Sequence, residues 1–257
     1  MVGKYDDETY ARRGSLLRGL SKCLVVAVCS VGFVFANPNP SHPPVPEEEI
    51  VSHYLGATQA QQDTTRGSTV EMDIDASVVK LKREGKLHAL KNITKLGKIT
   101  FHVLGFTGDN TVKTEVIAKY LKAEVDAAQN GASVSITPDH YKFKYKGTED
   151  FHGRQAYVLR VTPREKKVGL FKGELWLDAE TYMPVRESGS FVKTPSVFLK
   201  KMQFVREYAF QNGVSVPQRM ESKADVRFIG PVQLNINYLR YSKDDQEDGI
   251  ASASDQQ

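Results

Sequence analysis

The sequence has few of the residues with which enzymes build reactive or metal-binding sites. Of its 257 residues only two are cysteines, Cys23 and Cys29, and both lie in one hydrophobic segment near the N-terminus. If that segment is removed, the chain has no disulfide, no thiolate nucleophile and no cysteine-ligated metal. The six histidines include no pair at metal-ligand spacing with a third ligand nearby. No G-x-S-x-G, H-E-x-x-H or phosphate-binding glycine loop occurs. We therefore expect no catalysis, no cofactor and no metal.

The chain also has little excess charge. Its formal net charge is +4, and the first 36 residues, with five basic and three acidic side chains, contribute two of these charges. The rest is nearly neutral, which argues against a nucleic-acid partner. Hydrophobic residues at 40% and charged residues at 26% are ordinary values for one globular domain.

The hydrophobic run at residues 24–36 is too short to span a bilayer comfortably, because it has thirteen residues and a transmembrane helix needs about 20. Basic residues precede it, and it ends in Val34-Phe35-Ala36, with small residues at the positions of a cleavage site. Residues 1–36 are therefore predicted to be a secretory signal that delivers the protein to the periplasm. An uncleaved anchor in the inner membrane and a buried core helix remain as alternatives.

Two polar segments flank the predicted domain. Residues 37–46 contain five prolines and are expected to form an extended spacer. Residues 242–257 are polar and acidic and are expected to be a disordered tail. The folded domain is thus predicted to cover residues 47–241.

Helical spacing occurs twice. Three glutamates open the first helix at Glu47, where acidic side chains favour the positive end of the helix dipole. The second helix is predicted at 111–129, with its N-cap among residues 109–111 and its stop at Asn130-Gly131. Its apolar residues Val116, Ile117, Tyr120 and Leu121 are expected to make it a movable lid.

Elsewhere apolar and polar residues alternate, which is typical of half-buried antiparallel strands. The pattern is clear at 70–78 and continues in candidate strands at 86–95, 98–106 and, after residue 141, in runs joined by short turns. About ten strands and two helices predict a mainly β (α+β) fold. We expect a long curved antiparallel meander that forms an unclosed β-barrel, with the two helices covering its apolar concave face.

The alternation assigns a set of apolar side chains to the concave face. Either they line a cavity for an apolar ligand or they fill an ordinary core, and the sequence leaves both open. The set consists of Met72, Ile74, Phe101, Val103, Tyr141, Phe143, Tyr145, Leu175, Leu177, Met202, Phe204, Tyr208, Met220, Phe228, Leu234, Ile236 and Tyr238.

One hairpin carries a family resemblance. It runs from Gly173-Glu174-Leu175-Trp176-Leu177-Asp178 through Thr181 to Met183-Pro184-Val185-Arg186, and it resembles the G-x-x-W-x-D…T…P hairpin of the periplasmic lipoprotein-carrier superfamily. That superfamily, which has the lipoprotein localisation factor fold, includes outer-membrane lipoprotein-sorting proteins and sigma-factor regulators. The segment 157–163 and the Asn212-Gly213 turn with Val216-Pro217 are also similar.

The resemblance implies a half-barrel whose helical lid covers a hydrophobic cavity for acyl chains. In the sorting proteins an arginine of an early strand helps to gate that cavity. Residues 98–106 contain no arginine and Arg83 lies at a predicted turn, so this role does not transfer.

Together these features predict a periplasmic carrier or chaperone for lipids or lipoproteins that takes part in outer-membrane biogenesis without catalysis. Its partners would be acyl chains, a transient membrane contact and an envelope protein, and it is expected to be a monomer. The alternative is an envelope sensor or protein-interaction domain with a filled core, tethered to the membrane. Lys142, Lys144 and Lys146 form either a basic stripe for an anionic surface or a solvated outer face.

Overall fold

A computed structural model describes residues 45–129, 134–194, 199–211 and 213–243. The predicted export signal, most of the proline spacer, the Asn130-Gly131 stop, Asn212 of the predicted turn and residues 244–257 lie outside the described residues. In the described part no helix is long and apolar enough to cross a membrane.

The described residues form one antiparallel sheet of ten strands in the order β3-β2-β1-β10-β9-β8-β7-β6-β5-β4. Pairing of β1 with β10 brings the two ends of the meander together, and the sheet stays unclosed between its edge strands β3 and β4. The strands are β1 Ser68–Val78, β2 Arg83–Ile93, β3 Ile99–Gly108, β4 Tyr141–Phe151, β5 Arg154–Pro163, β6 Phe171–Asp178, β7 Pro184–Phe191, β8 Leu199–Gln211, β9 Val214–Val226 and β10 Gly230–Lys243.

Two helices accompany this sheet in the described part of the chain. The first, α1, is Glu47–Thr65 and has the predicted acidic first turn. The second, α2, covers residues 110–129 and consists of an α-helical turn Asn110–Val112, a π-helical turn Lys113–Ile117 and the α-helix Ala118–Gln129. Its N-cap is Asp109, whose carboxylate accepts hydrogen bonds from the backbone N–H groups of Thr111 and Val112. The predicted mainly β half-barrel with two covering helices is confirmed.

The π-helical turn explains how α2 meets the sheet. Val112 and Ile117 are both buried, although they are five residues apart. In a regular α-helix that spacing would separate the two side chains by about 140°. Because a π turn holds more residues, it brings both side chains onto the side of the helix that faces the sheet.

Each helix covers a different half of the inner face, which we define as the sheet face that α1 and α2 cover. Under α1, side chains from β4, β5, β6 and β8 pack with Ile50, Val51 and Tyr54. Under α2, side chains from β1, β2, β9 and β10 pack with Val112 and Ile117. The core is therefore two hydrophobic clusters that lie side by side on one sheet.

Several boundaries differ from those predicted. β2 lies two to three residues before its candidate strand, because a 3-10 turn at Val79–Leu81 and the left-handed Lys82 start it earlier, and β3 lies one to two residues after its candidate strand. β10 continues through Ser242 and Lys243, which pair with β1 and so do not belong to a disordered tail.

Candidate functional site

A single row of side chains crosses the inner face through all ten strands. In an antiparallel sheet directly opposed residues share a face, so the register defines the row. Its flanks are apolar or aromatic, and its centre is the charged pair Glu187–Arg206. The row runs Tyr145, Leu159, Leu175, Glu187, Arg206, Met220, Ile236, Ile74, Leu87, Phe106.

The central pair is loosely held. Arg206 Nη1 lies 3.5 Å from Glu187 Oε2, whereas charge-assisted N–H···O contacts are commonly about 2.7–2.9 Å long. Arg206 Nη2 points at the sulfur of Met220 at 3.7 Å, and a thioether is only a weak acceptor. The buried Arg206 Nε has no hydrogen-bond partner among the described residues. Among the described residues, Nε thus has no hydrogen-bond partner and Nη2 has a weak sulfur contact, while the Tyr208 hydroxyl also interacts with the Arg206 guanidinium.

Three tyrosines surround the pair. Burial, together with the charge of Glu187, raises the pKa of Tyr208, although Arg206 acts in the opposite direction. Burial also raises the pKa of Tyr238 to about 12, and Glu124 adds to this effect. Tyr120 on α2 has a pKa raised by burial and Glu124, and its hydroxyl lies 4.0 Å from the Met220 sulfur. All three phenols keep their protons at neutral pH.

The central side chains are deep in the protein but still touch open space. The Arg206 side chain keeps 31% of its surface exposed, whereas Met220 and Ile236 beside it in the row are almost fully buried. Burial is the largest single influence and lowers the pKa of Arg206, but the interactions with Tyr208, Glu187, Tyr238 and Tyr120 together raise it above its ordinary value. Arg206 thus remains a guanidinium cation, and it lies between the two hydrophobic clusters.

A second ion pair joins α2 to the sheet. Lys91 Nζ on β2 donates to Glu124 Oε1 on α2 at 3.2 Å, and the two side chains are only 13% and 17% exposed. A cavity of about 190 Å³ borders Lys91 and is also lined by Tyr238 and Tyr241. This volume is below the roughly 300–1,000 Å³ of ordinary small-molecule sites.

A larger cavity of about 520 Å³ lies at the strand ends that carry the β4–β5, β6–β7 and β8–β9 turns. Its charged lining residues are already paired, because Arg154 Nε contacts Asp178 Oδ2 at 2.7 Å and the guanidinium stacks 4.7 Å from the Phe210 ring. In the described chain no group of three or more histidine, cysteine, aspartate or glutamate side chains could hold a metal ion.

The predicted concave-face residues fall into two packed groups. Beneath α2 lie Met72, Ile74, Phe101, Met220, Leu234, Ile236 and Tyr238, with Val116, Ile117, Tyr120 and Leu121 of the helix above them. Beneath α1 lie Tyr141, Phe143, Tyr145, Leu175, Leu177 and Phe204. Met202 and Tyr208 are half-buried on β8.

Two of the predicted residues do not lie in the enclosed core. Phe228 is 87% exposed at the turn between β9 and β10, so its assignment to the concave face was wrong. Its φ of 72° shows that the backbone there is not extended, so the alternation of strand faces does not apply to it. Val103 opposes Ala89 on the inner face, but it lies on the edge strand β3 and is 45% exposed.

Sequence reasoning missed the charged centre of the face. Arg206 stands between Phe204 and Tyr208, both assigned inward, and strand alternation gives all three the same side. Glu187 opposes Leu175, another residue assigned inward. The alternation of the strands therefore predicts that Arg206 and Glu187 face inward, but the predicted concave face included apolar residues alone.

Known proteins match this chain over part of its length or at low sequence identity. A family model described as "Uncharacterized protein" matches residues 130–228. No curated protein matches the chain. Several solved structures match about three quarters of the chain at low identity.

A DUF1329 family protein from Desulfovibrio piger is 14% identical, with a TM-score of 0.42 over 77% of this chain and 94% of that one. A putative outer membrane lipoprotein-sorting protein domain from Vibrio parahaemolyticus is 13% identical, with a TM-score of 0.38 over 76% and 94% of the two chains. A LolA superfamily protein from Nitrosomonas europaea is 12% identical, with a TM-score of 0.38 over 78% and 96%. These likenesses are remote, since none of the three exceeds 14% identity or a TM-score of 0.42.

Proposed function

We propose that this protein is a periplasmic carrier for lipids or lipoproteins, which binds an acyl chain between α2 and the strands β1, β2, β9 and β10. The observation that carries the proposal is that the start of α2 is buried against the sheet more deeply than the rest of the helix. Its first two turns bury Val112 and Ile117, but Ala118–Gln129 has no fully buried side chain. The strands beneath it present Met72, Ile74 and Ile236, which are completely buried.

The energetics allow α2 to move. Fully burying a Val or Ile side chain stabilises by about 1.5–3 kcal/mol, so lifting both from the sheet costs roughly 3–6 kcal/mol. Each methylene of an acyl chain that replaces them contributes about 0.8 kcal/mol. About four to eight buried methylenes therefore offset the exposure of these two side chains, and further methylenes must replace the packing of Tyr120 and Leu121 and the ion pair of Glu124. Because the cavity beside Lys91 is small in the closed form, this movement is required for an acyl chain to enter.

The periplasmic location rests on the N-terminal sequence. The basic residues, the short hydrophobic run and the small residues at its end support export through residues 1–36. Sequencing the N-terminus of the protein from the cell envelope tests this part. A mature chain that begins at Asn37 supports a free carrier, and one that begins at Met1 supports a tethered domain.

The binding site is tested by photocrosslinking the full-length protein with a diazirine fatty acid and mapping the adducts. The proposal expects adducts on α2, β1 and β10. Adducts confined to Arg154, Asp178 and Phe210 would move the site to the larger cavity. A protein that gives no adducts and carries no lipid on extraction is not a lipid carrier.

The edge strand β3 favours a second candidate, a protein-interaction domain. Val103 and Leu104 are 45% and 49% exposed on its two faces, and in the described structure β3 pairs only with β2. Exposed apolar edge strands readily accept another strand, whereas β4, the other edge, carries the exposed Lys142, Lys144 and Lys146. Crosslinking from position 104 in the cell envelope, with position 144 as the matched control, distinguishes a bound protein from a free edge.

A further inference from the structure

The inner face contains one feature that an acyl-chain site does not need, the charged pair at its centre. We propose that the Nε/Nη2 edge of Arg206 binds the anionic head of the ligand, a carboxylate or a phosphate, while the tail lies under α2. This inference rests on the proposed function and names the class of ligand: an amphipathic anion rather than a neutral lipid.

The geometry of the guanidinium selects this chemistry. The Nε and Nη2 atoms of arginine form the edge that binds a carboxylate or phosphate through two parallel hydrogen bonds. In this protein Glu187 contacts Nη1 alone, at 3.5 Å. The other edge has a sulfur contact at Nη2 and no partner at Nε within the described residues. Nε is buried in this structure, so an incoming anion reaches this edge of Arg206 when α2 moves, and it does so without displacing Glu187.

The nearby phenols suit the same ligand. Tyr120, Tyr208 and Tyr238 keep their protons because burial raises the pKa of each phenol. Each phenol has one O–H group to donate to an anionic oxygen, once Tyr120 leaves the Met220 sulfur and Tyr208 leaves Glu187. Tyr120 is carried by α2 and lies over Met220, so lifting the helix uncovers the arginine edge and the apolar strands together.

The position of Arg206 fixes the direction of the ligand. On one side of it in the transverse row lie Met220, Ile236 and Ile74, which are apolar and lie beneath α2. On the other side lies the carboxylate of Glu187, which repels a second anion. The head group therefore sits at β8, and the tail runs across β9, β10 and β1.

The test compares two matched fluorescent ligands on the full-length protein, dansylaminoundecanoic acid and its methyl ester. We expect the acid to bind about tenfold more tightly than the ester, the difference expected from charge-assisted hydrogen bonds. The variant Arg206→Met should remove this difference and leave ester binding within about twofold. Arg206→Lys should retain part of it, since a lysine keeps the charge but loses the paired donors. Arg160→Met, on the exposed outer side of β5, is the matched control and should behave like the parent protein.

The outcomes separate the two proposals. If the parent protein binds acid and ester equally, the anionic-head inference is wrong and the carrier proposal stands. If it binds neither, the carrier proposal fails as well. If inorganic phosphate at millimolar concentration displaces the acid but not the ester, the site takes free anions rather than lipid heads, and the inference is also overturned. Should Arg206→Met fail to fold, the comparison is made with Arg206→Lys, for which an unchanged acid-to-ester ratio contradicts the inference.

Discussion

Replacing Glu124 with glutamine should loosen the outer part of α2 without unfolding the protein. Glu124 is the α2 partner of the ion pair with Lys91, and both side chains are less than a fifth exposed. The segment Ala118–Gln129 has no fully buried side chain, so this pair supplies a large share of its attachment to the sheet. The substitution removes the negative charge and keeps the size of the side chain.

The expected magnitude follows from the environment of the pair. A hydrogen bond to a charged group contributes about 1.5–3 kcal/mol when it is shielded from water. Glu124 Oε2 is buried and has no hydrogen-bond partner in the described part of the chain, which places this pair near the lower limit. A loss of about 1.5 kcal/mol increases the local opening of 118–129 roughly tenfold.

The assay is hydrogen exchange of backbone amides, read separately in α1 and α2. Glu124→Gln should accelerate exchange about tenfold in 118–129 and leave 47–58 of α1 unchanged. Glu115→Gln is the matched control, because its ion pair with Lys119 lies on the same helix but is 55% and 69% exposed. Exposed pairs contribute about 0–1 kcal/mol. Equal acceleration in the two variants, or exchange of 118–129 only through global unfolding, would refute the description of α2 as a lid.

Three further predictions concern stability. Tyr141→Phe should cost about 1–3 kcal/mol in chemical denaturation, because the buried backbone N–H of Phe171 donates to the Tyr141 hydroxyl and would lose its acceptor. Burial and the nearby Glu187 raise the pKa of Tyr141 to about 12. Because the phenol ionises near pH 10 in the unfolded chain, the free energy of unfolding should fall between pH 10 and 12. Alkaline unfolding followed by tyrosine absorbance measures this fall. Asp178 Oδ1 accepts three hydrogen bonds in the β6–β7 turn, so Asp178→Ala should lower the free energy of unfolding by about 3 kcal/mol in thermal unfolding. Asp178→Asn retains that acceptor and should lower it by about 1 kcal/mol.

The sequence was sufficient for the fold because local patterns determine it. Alternation in 70–78 and in the runs after 141 predicted the strands, and short turns between them left an antiparallel meander as the simplest topology. The acidic start of α1 and the Asp109 cap of α2 were readable for the same reason, since both act within one helical turn. None of these features depends on contacts between distant residues.

The site could be predicted only in part, because it depends on register. That Arg206 faces inward follows from its neighbours on β8. That it meets Glu187 and lies beside Met220 depends on the pairing of three strands and on bulges such as the one between Glu207 and Tyr208. A shift of one residue in either pairing would place these side chains on opposite faces. The ion pair of Lys91 with Glu124 likewise depends on how α2 crosses the sheet.

The charged pair at the centre of an apolar face is not explained by stability. Breaking a buried pair is costly, but replacing both members with apolar residues of similar volume is often neutral or stabilising by about 1–4 kcal/mol. Here the geometry stabilises even less than usual, because the contact between Arg206 and Glu187 is long and the Nε atom has no hydrogen-bond partner in the part of the chain that the structure describes. A filled hydrophobic core would be better served by two aliphatic side chains at these positions. In the proposed carrier, a ligand with an ionised head group requires a cation at one defined point of the row, and Arg206 provides it beside the strands that lie beneath α2.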